Sequence, residues 1–242
     1  MTPPTAQLDS PPAHRWGFGA FVLAELVLIL SAVFLFAAAG PVDAGEPIPP
    51  IVIVVVTALP TMLAAGVAVL ATLLRGNGPV IDLRLKWSWP DVRAGLKLGL
   101  AGLVLTAVAA VIWARTIGKL DPSSALASVV DAQPLPPVLG VVMFVYTWLI
   151  GPACEELVFR GLLWGAIERL SWSRWAAFVL STAIFAVSHL EPLRTSLLLV
   201  IAIPIGWARL VTGRLPASIV AHQINNFVPA LGILLMSLGI WR

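Results

Sequence analysis

The chain alternates between long apolar runs and short polar breaks. About 20 consecutive apolar residues cross the hydrocarbon core of a bilayer as a helix. Residues 16–39 form the first run of that length, 51–74 the second and 91–116 the third. The breaks carry the charges and turn formers: Asp43 and Glu46 lie among prolines in 41–50, and Arg75, Arg84 and Lys86 lie beside Trp87 and Trp89 in 75–89. Cations mixed with indole rings suit the headgroup interface. Pro60 predicts a kink in the second run, and Lys97, in the first turns of the third, can snorkel. After a polar loop at 118–135 with Asp121 and Asp131, the fourth run covers 136–170. It exceeds what a bilayer needs, so it must tilt, bend or protrude, and Pro152 is the expected bend. Four shorter runs follow at 173–190, 194–210, 215–227 and 228–241. The expected fold is all-α, a polytopic membrane protein with about eight transmembrane helices. Its expected organisation is a proline-rich, disordered tail over 1–15, three helices with their loops over 16–135, and a second unit over 136–242. Ala37-Ala38-Ala39-Gly40 faintly resembles a signal-peptidase site, but the apolar run before it is too long for a signal peptide, so the first helix is expected to be retained. The chain holds no internal repeat.

Composition sharpens the class. Of 242 residues, 59% are hydrophobic and 11% charged, with a mean hydropathy of +0.96. A water-soluble domain could not hide that much apolar side chain. The pI near 9.6 raises nucleic acid as a partner, but the placement of the cations removes it. With eight spans, eleven basic residues fall on the side of both termini and only Arg115, Lys119 and Arg194 on the other, while Arg160 lies within the membrane. That bias predicts cytoplasmic N- and C-termini. The single cysteine, Cys154, excludes an internal disulfide.

Ionised groups at bilayer depth are costly and mark candidate functional sites. Glu155 and Glu156 are adjacent in the fourth run, and Arg160 follows Glu156 by four, the favourable acid-before-base order on a helix. Glu156 and Arg160 are therefore expected to neutralise each other. Glu155 points about 100° away and needs a partner from elsewhere in the chain. His189 ends the stretch Phe185-Ala186-Val187-Ser188-His189, and His222 and Asn226 share a helix face four residues apart. Each alone reads as packing or helix–helix glue. Together with Glu155 they supply a base, two imidazoles and an amide donor, the inventory for activating a water and stabilising an oxyanion. A divalent metal such as zinc is the rival use of Glu155, His189 and His222; the residues alone leave metal and metal-free chemistry both open. No phosphate-binding glycine loop and no nucleophile elbow occurs. Cys154 reads as a small hydrophobe, and Glu25 in the first run as an interhelical hydrogen-bonding or snorkelling acid.

Glu155-Glu156-x-x-x-Arg160, Phe185-x-x-x-His189 and His222-x-x-x-Asn226 resemble, in order and spacing, the three motifs of the CAAX-protease and bacteriocin-processing (CPBP, or Abi) family of intramembrane proteases. Pro152, Phe159-Arg160-Gly161 and Thr212-Gly213-Arg214-Leu215-Pro216-Ala217-Ser218-Ile219 strengthen the match. The resemblance covers about 136–230. It implies about eight transmembrane helices and a site open to the cytosol. It implies that Glu155 with His189 polarises the attacking water, that His222 with Asn226 stabilises the oxyanion, and that Glu156, Arg160 and Phe185 give structural support. The mechanism favoured by the resemblance is metal-free.

The expected function is an endopeptidase of a bacterial inner membrane, multi-pass, acting on a peptide or membrane-associated protein, with lipid around it and no nucleic-acid partner. The alternative is a non-catalytic immunity or scaffold protein that binds a peptide or partner in the same cavity. Proton-coupled transport would also use membrane carboxylates, but it usually comes with repeats that this chain lacks.

Overall fold

The computed structural model describes residues 14–40, 46–117 and 124–241. The tail expected over 1–15 falls, up to residue 13, outside the described residues, as do Asp43, Lys119, Asp121 and Arg242. The described chain is helical: α1 (Phe18–Ala38), α2 (Pro50–Arg75), α3 (Pro79–Asp82), α4 (Trp89–Ile117), α5 (Ala125–Ala132), α6 (Pro137–Arg169), α7 (Arg174–Ser188), α8 (Thr195–Thr212) and α9 (Leu215–Ser237). Six of these, α1, α2, α4, α6, α8 and α9, are long and apolar enough to cross a membrane, and α7 is a shorter apolar helix.

Local sequence explains where they begin and end. Proline sits in the first turn of α2, α3, α6 and α9, where its fixed φ suits the helix and its missing N–H has no partner to lose. The Ser173 hydroxyl accepts the Ala176 N–H at 3.1 Å and caps α7. Gly213 ends α8 at φ +68° and donates its N–H to Arg209 O, the left-handed stop glycine tolerates.

The last two expected spans, 215–227 and 228–241, are one helix. Pro229 lies inside α9, where it removes a single backbone donor without ending the helix. Twenty-three residues rise about 34 Å, enough for one crossing. One helix therefore stands where two spans are expected. The chain end near Arg15 bonds to Arg75 O, and Trp16 donates to Asp82 Oδ2 at 2.8 Å. Leu215 N donates to Arg84 O at this same end, so α9 starts there and finishes at the other. Gln133 donating to Ile48 O, and Trp113 donating to Leu193 O at 2.8 Å, mark that opposite end. Among the described cations, only Arg115 and Arg194 lie toward it.

Glycines set the closest helix contacts. A Cβ on Gly95 of α4 would sit 2.6 Å from Ala217 O, and one on Gly99 would sit 2.8 Å from Ile224 Cβ. This small-x-x-x-small face lets α4 lie against α9 and fixes the helix that carries His222 and Asn226. Gly102 does the same against Pro204 of α8.

Candidate active site

The long helix α6 is not regular. Two π-helical stretches, Tyr146–Ile150 and Leu157–Leu163, flank Gly151–Glu156. Wide turns of this kind disturb the α-helical hydrogen-bond ladder and recur at functional sites. Here neighbouring side chains take up carbonyls of the wide turns. Gln223 Nε2 donates to Leu149 O at 3.1 Å, Asn226 Nδ2 to Thr147 O at 3.3 Å, and Arg209 Nε to Arg160 O at 3.1 Å. The irregular helix is thereby laced to α8 and α9.

The two acids of α6 meet different surroundings. Glu156 and Arg160 are fully buried, and Arg160 Nη1 donates to Glu156 Oε1 at 2.9 Å, the pairing their spacing predicts. Arg160 also approaches Ala202 O of α8 at 3.5 Å, and its guanidinium lies 4.5 Å from the Phe185 ring centroid. His222 Nδ1–H donates to the same Glu156 Oε1 at 3.0 Å. That bond commits one ring nitrogen and leaves Nε2 as the free one. His222 Nε2 stands 3.7 Å from Glu155 Oε2, and the Glu155 side chain is 25% exposed. A carboxylate on one side of the imidazole is thus buried and fixed, while the other remains accessible.

Phe185 joins the remaining parts. Its ring centroid is 4.6 Å from that of His189, 5.6 Å from His222 and 5.2 Å from Phe159. His189 caps α7 and donates Nδ1–H to Phe185 O at 2.8 Å, which leaves its own Nε2 free. The geometry therefore brings Glu155, Glu156, Arg160, Phe185 and His222 into direct contact, attaches His189 through Phe185, and ties Asn226 to α6 at Thr147. Among the described residues Glu155 makes no hydrogen bond or ion pair with His189; its ion pair is with His222.

Rise counting leaves Glu155 deeper than His222 unless α6 bends or protrudes. It protrudes: a Cβ on Gly161 would meet Leu215 at 3.6 Å, so the start of α9 lies level with Gly161 and the last turns of α6 extend past it.

Several site neighbours carry no sequence signal that would have singled them out. Gln223 and Thr147 lie beside named residues but match no motif. Arg209 reads in the sequence as one more interfacial cation, yet it is buried beneath the site, 5.5 Å above the Trp164 ring. Cys154 is half-buried and free. Glu25 is half-buried on α1 near Ser188, and its Oε1 has no hydrogen-bond partner among the described residues.

Among the described residues no three His, Cys, Asp or Glu side chains are gathered to hold a metal ion.

Residues 137–228 match the family model described as type II CAAX prenyl endopeptidase, Rce1-like. No curated protein and no solved structure matches the chain significantly. This segment carries all three motifs, and over residues 137–228 the chain is similar to the CAAX-protease (CPBP) family.

Proposed function

We propose that the chain is an intramembrane endopeptidase that hydrolyses a peptide bond of a membrane-associated peptide or protein, with Glu155 as general base. The observation that carries this reading is the 3.7 Å approach of Glu155 Oε2 to His222 Nε2, with the far side of that imidazole locked by buried Glu156. Glu155 is the accessible carboxylate, so a water reaches it, and one oxygen of a reacting group can contact both Glu155 and His222.

Glu155 takes a proton from water as the water oxygen bonds to the scissile carbonyl carbon. The carbonyl oxygen becomes an oxyanion and accepts from His222 Nε2–H and from the second N–H of Asn226 Nδ2. In this step His222 carries both ring protons. One bonds to Glu156, the other to the oxyanion, whose charge the imidazolium offsets. The C–N bond then breaks as Glu155 returns its proton to the leaving nitrogen, giving an amine and a carboxylic acid, which gives up its remaining proton to the amine. His189, with Nδ1 held by Phe185 O, offers Nε2 to orient the attacking water beside Glu155.

The reaction runs without a metal, a reading supported by the dispersed donor set. The cations gathered at one end of the bundle orient it with that end in the cytosol of a bacterial inner membrane, which opens the site toward that face. The test is peptide cleavage by the purified protein. Glu155→Gln should lose at least about a hundredfold in rate, the scale of a positioned base, and prolonged chelation of the wild type should change nothing. Unimpaired cleavage by Glu155→Gln, or cleavage that stops on chelation and returns with zinc, contradicts the proposal.

A further inference from the structure

At the cation-rich end, away from Glu155, an open pocket of about 570 Å³ is lined by Arg84, Lys86, Arg174, Arg214 and the single carboxylate Glu168. A second hollow, of about 520 Å³, adjoins it through Arg174 and Val211 and is walled by Trp175, Trp207 and Leu210. The first is basic and the second apolar. From this pairing we propose that the chain holds one anionic phospholipid here, with its phosphate among the cations and an acyl chain along the tryptophans.

The charge count favours an anion. Glu168 pairs with Arg84 at 2.9 Å, and Asp91 reaches Arg214 at 3.2 Å. Among the described residues neither Lys86 nor Arg174 pairs with a carboxylate; Arg174 donates only to Leu210 O. Two cations therefore face the pocket without a counter-charge. Buried Arg209 stands behind them and donates to Gly213 O, a wall residue to which Arg84 also donates, at 3.5 Å. The wall is thus held by bonds from two arginines.

The apolar half decides between a lipid and a soluble anion. Trp175 and Trp207 are 58% and 37% exposed and pack edge to face at 5.6 Å, with Phe178 against both. The apolar hollow lies between the start of α7 and the last turns of α8 and adjoins the basic pocket. A free phosphate would fill only the pocket. A phospholipid fills both, with its headgroup at the interface, where basic pockets between membrane helices bind such groups and tryptophans sit well.

The experiment titrates phosphatidylglycerol into the full chain, delipidated in neutral detergent, and reads bound lipid by native mass spectrometry. Phosphatidylcholine with the same acyl chains and soluble glycerol phosphate are the comparisons. One phosphatidylglycerol should bind at least about tenfold more tightly than phosphatidylcholine. Removing two facing cations in Lys86→Gln/Arg174→Gln should weaken it about thirtyfold, whereas Arg75→Gln/Arg93→Gln, at the same end but outside the pocket, should not. Should the double variant fail to fold, Lys86→Gln, which removes an exposed side chain, should still weaken binding about fivefold. Equal binding of the two lipids, an equal loss in the Arg75/Arg93 control, or displacement by equimolar glycerol phosphate would each overturn the proposal.

Discussion

Removing Arg160 would leave Glu156 fully buried, with His222 as its remaining charged partner. Breaking a buried pair from one side typically costs about 3–5 kcal/mol, because the survivor's charge goes uncompensated. Arg160→Met should therefore lower unfolding stability in detergent by about that amount. Glu156→Gln/Arg160→Met should recover much of it, since no orphaned charge remains. It should not recover peptide cleavage, because a glutamine holds the His222 ring without balancing an imidazolium. A double variant as unstable as the single one would contradict this division between stability and chemistry. At this scale the sequence was informative. The four-residue spacing of Glu156 and Arg160 foretells their ion pair, and the odd acid out is Glu155. Which histidine meets Glu155 was not legible. His189 and His222 stand on different helices, and only the packing around Phe185 and the bond to Glu156 bring His222 to its side.

Between elements, the position of His222 depends on how closely α9 can lie against α4. Gly95 and Gly99 make that contact, and a Cβ on Gly95 would meet backbone at 2.6 Å, which no rotamer change relieves. Gly95→Ala should cost about 1–3 kcal/mol, as overpacking does, and should lower cleavage by shifting α9. A thermal unfolding midpoint equal to that of the wild type would show that the interface is looser than this. These glycines were visible as residues, but α4 read only as a generic apolar helix, since nothing in one sequence names the helix it packs against. The π-helical stretches of α6 were equally hidden. Pro152 marked a bend, whereas the irregular turns lie on either side of it and are held by Gln223, Asn226 and Arg209 from other helices. The long helices up to residue 212 were legible within a few residues, because apolar run length reports directly on a membrane crossing, whereas α3 and α5 lie in stretches that read as a connector and a polar loop.

For the whole molecule, the single helix α9 carries the C-terminal end of the described chain to the side opposite Trp16 and Trp87. In a Cys154→Ala background, Trp87→Cys and Ile240→Cys should react with a membrane-impermeant maleimide from opposite faces of oriented vesicles. Labelling of both from one face would restore an eight-span topology. Pro229 lies just past the expected boundary between the last two spans, yet α9 runs through it, because neighbours in a membrane bundle support the gap. The uneven distribution of cations did not depend on that boundary, because Arg84, Arg169, Arg174 and Arg214 all lie at the end where α9 begins.

The central claim is that the accessible carboxylate of Glu155 activates the attacking water. Its most direct test compares wild type and Glu155→Gln in lipid nanodiscs against a library of membrane-anchored peptides, with new C-termini read by mass spectrometry. Unfolding should be monitored on the same samples. The account predicts new C-termini from the wild type, their loss by at least about a hundredfold in Glu155→Gln, and a matching unfolding midpoint, since Glu155 takes no part in the buried Glu156–Arg160 pair. The same cleavage products at the same rate from both proteins would contradict it.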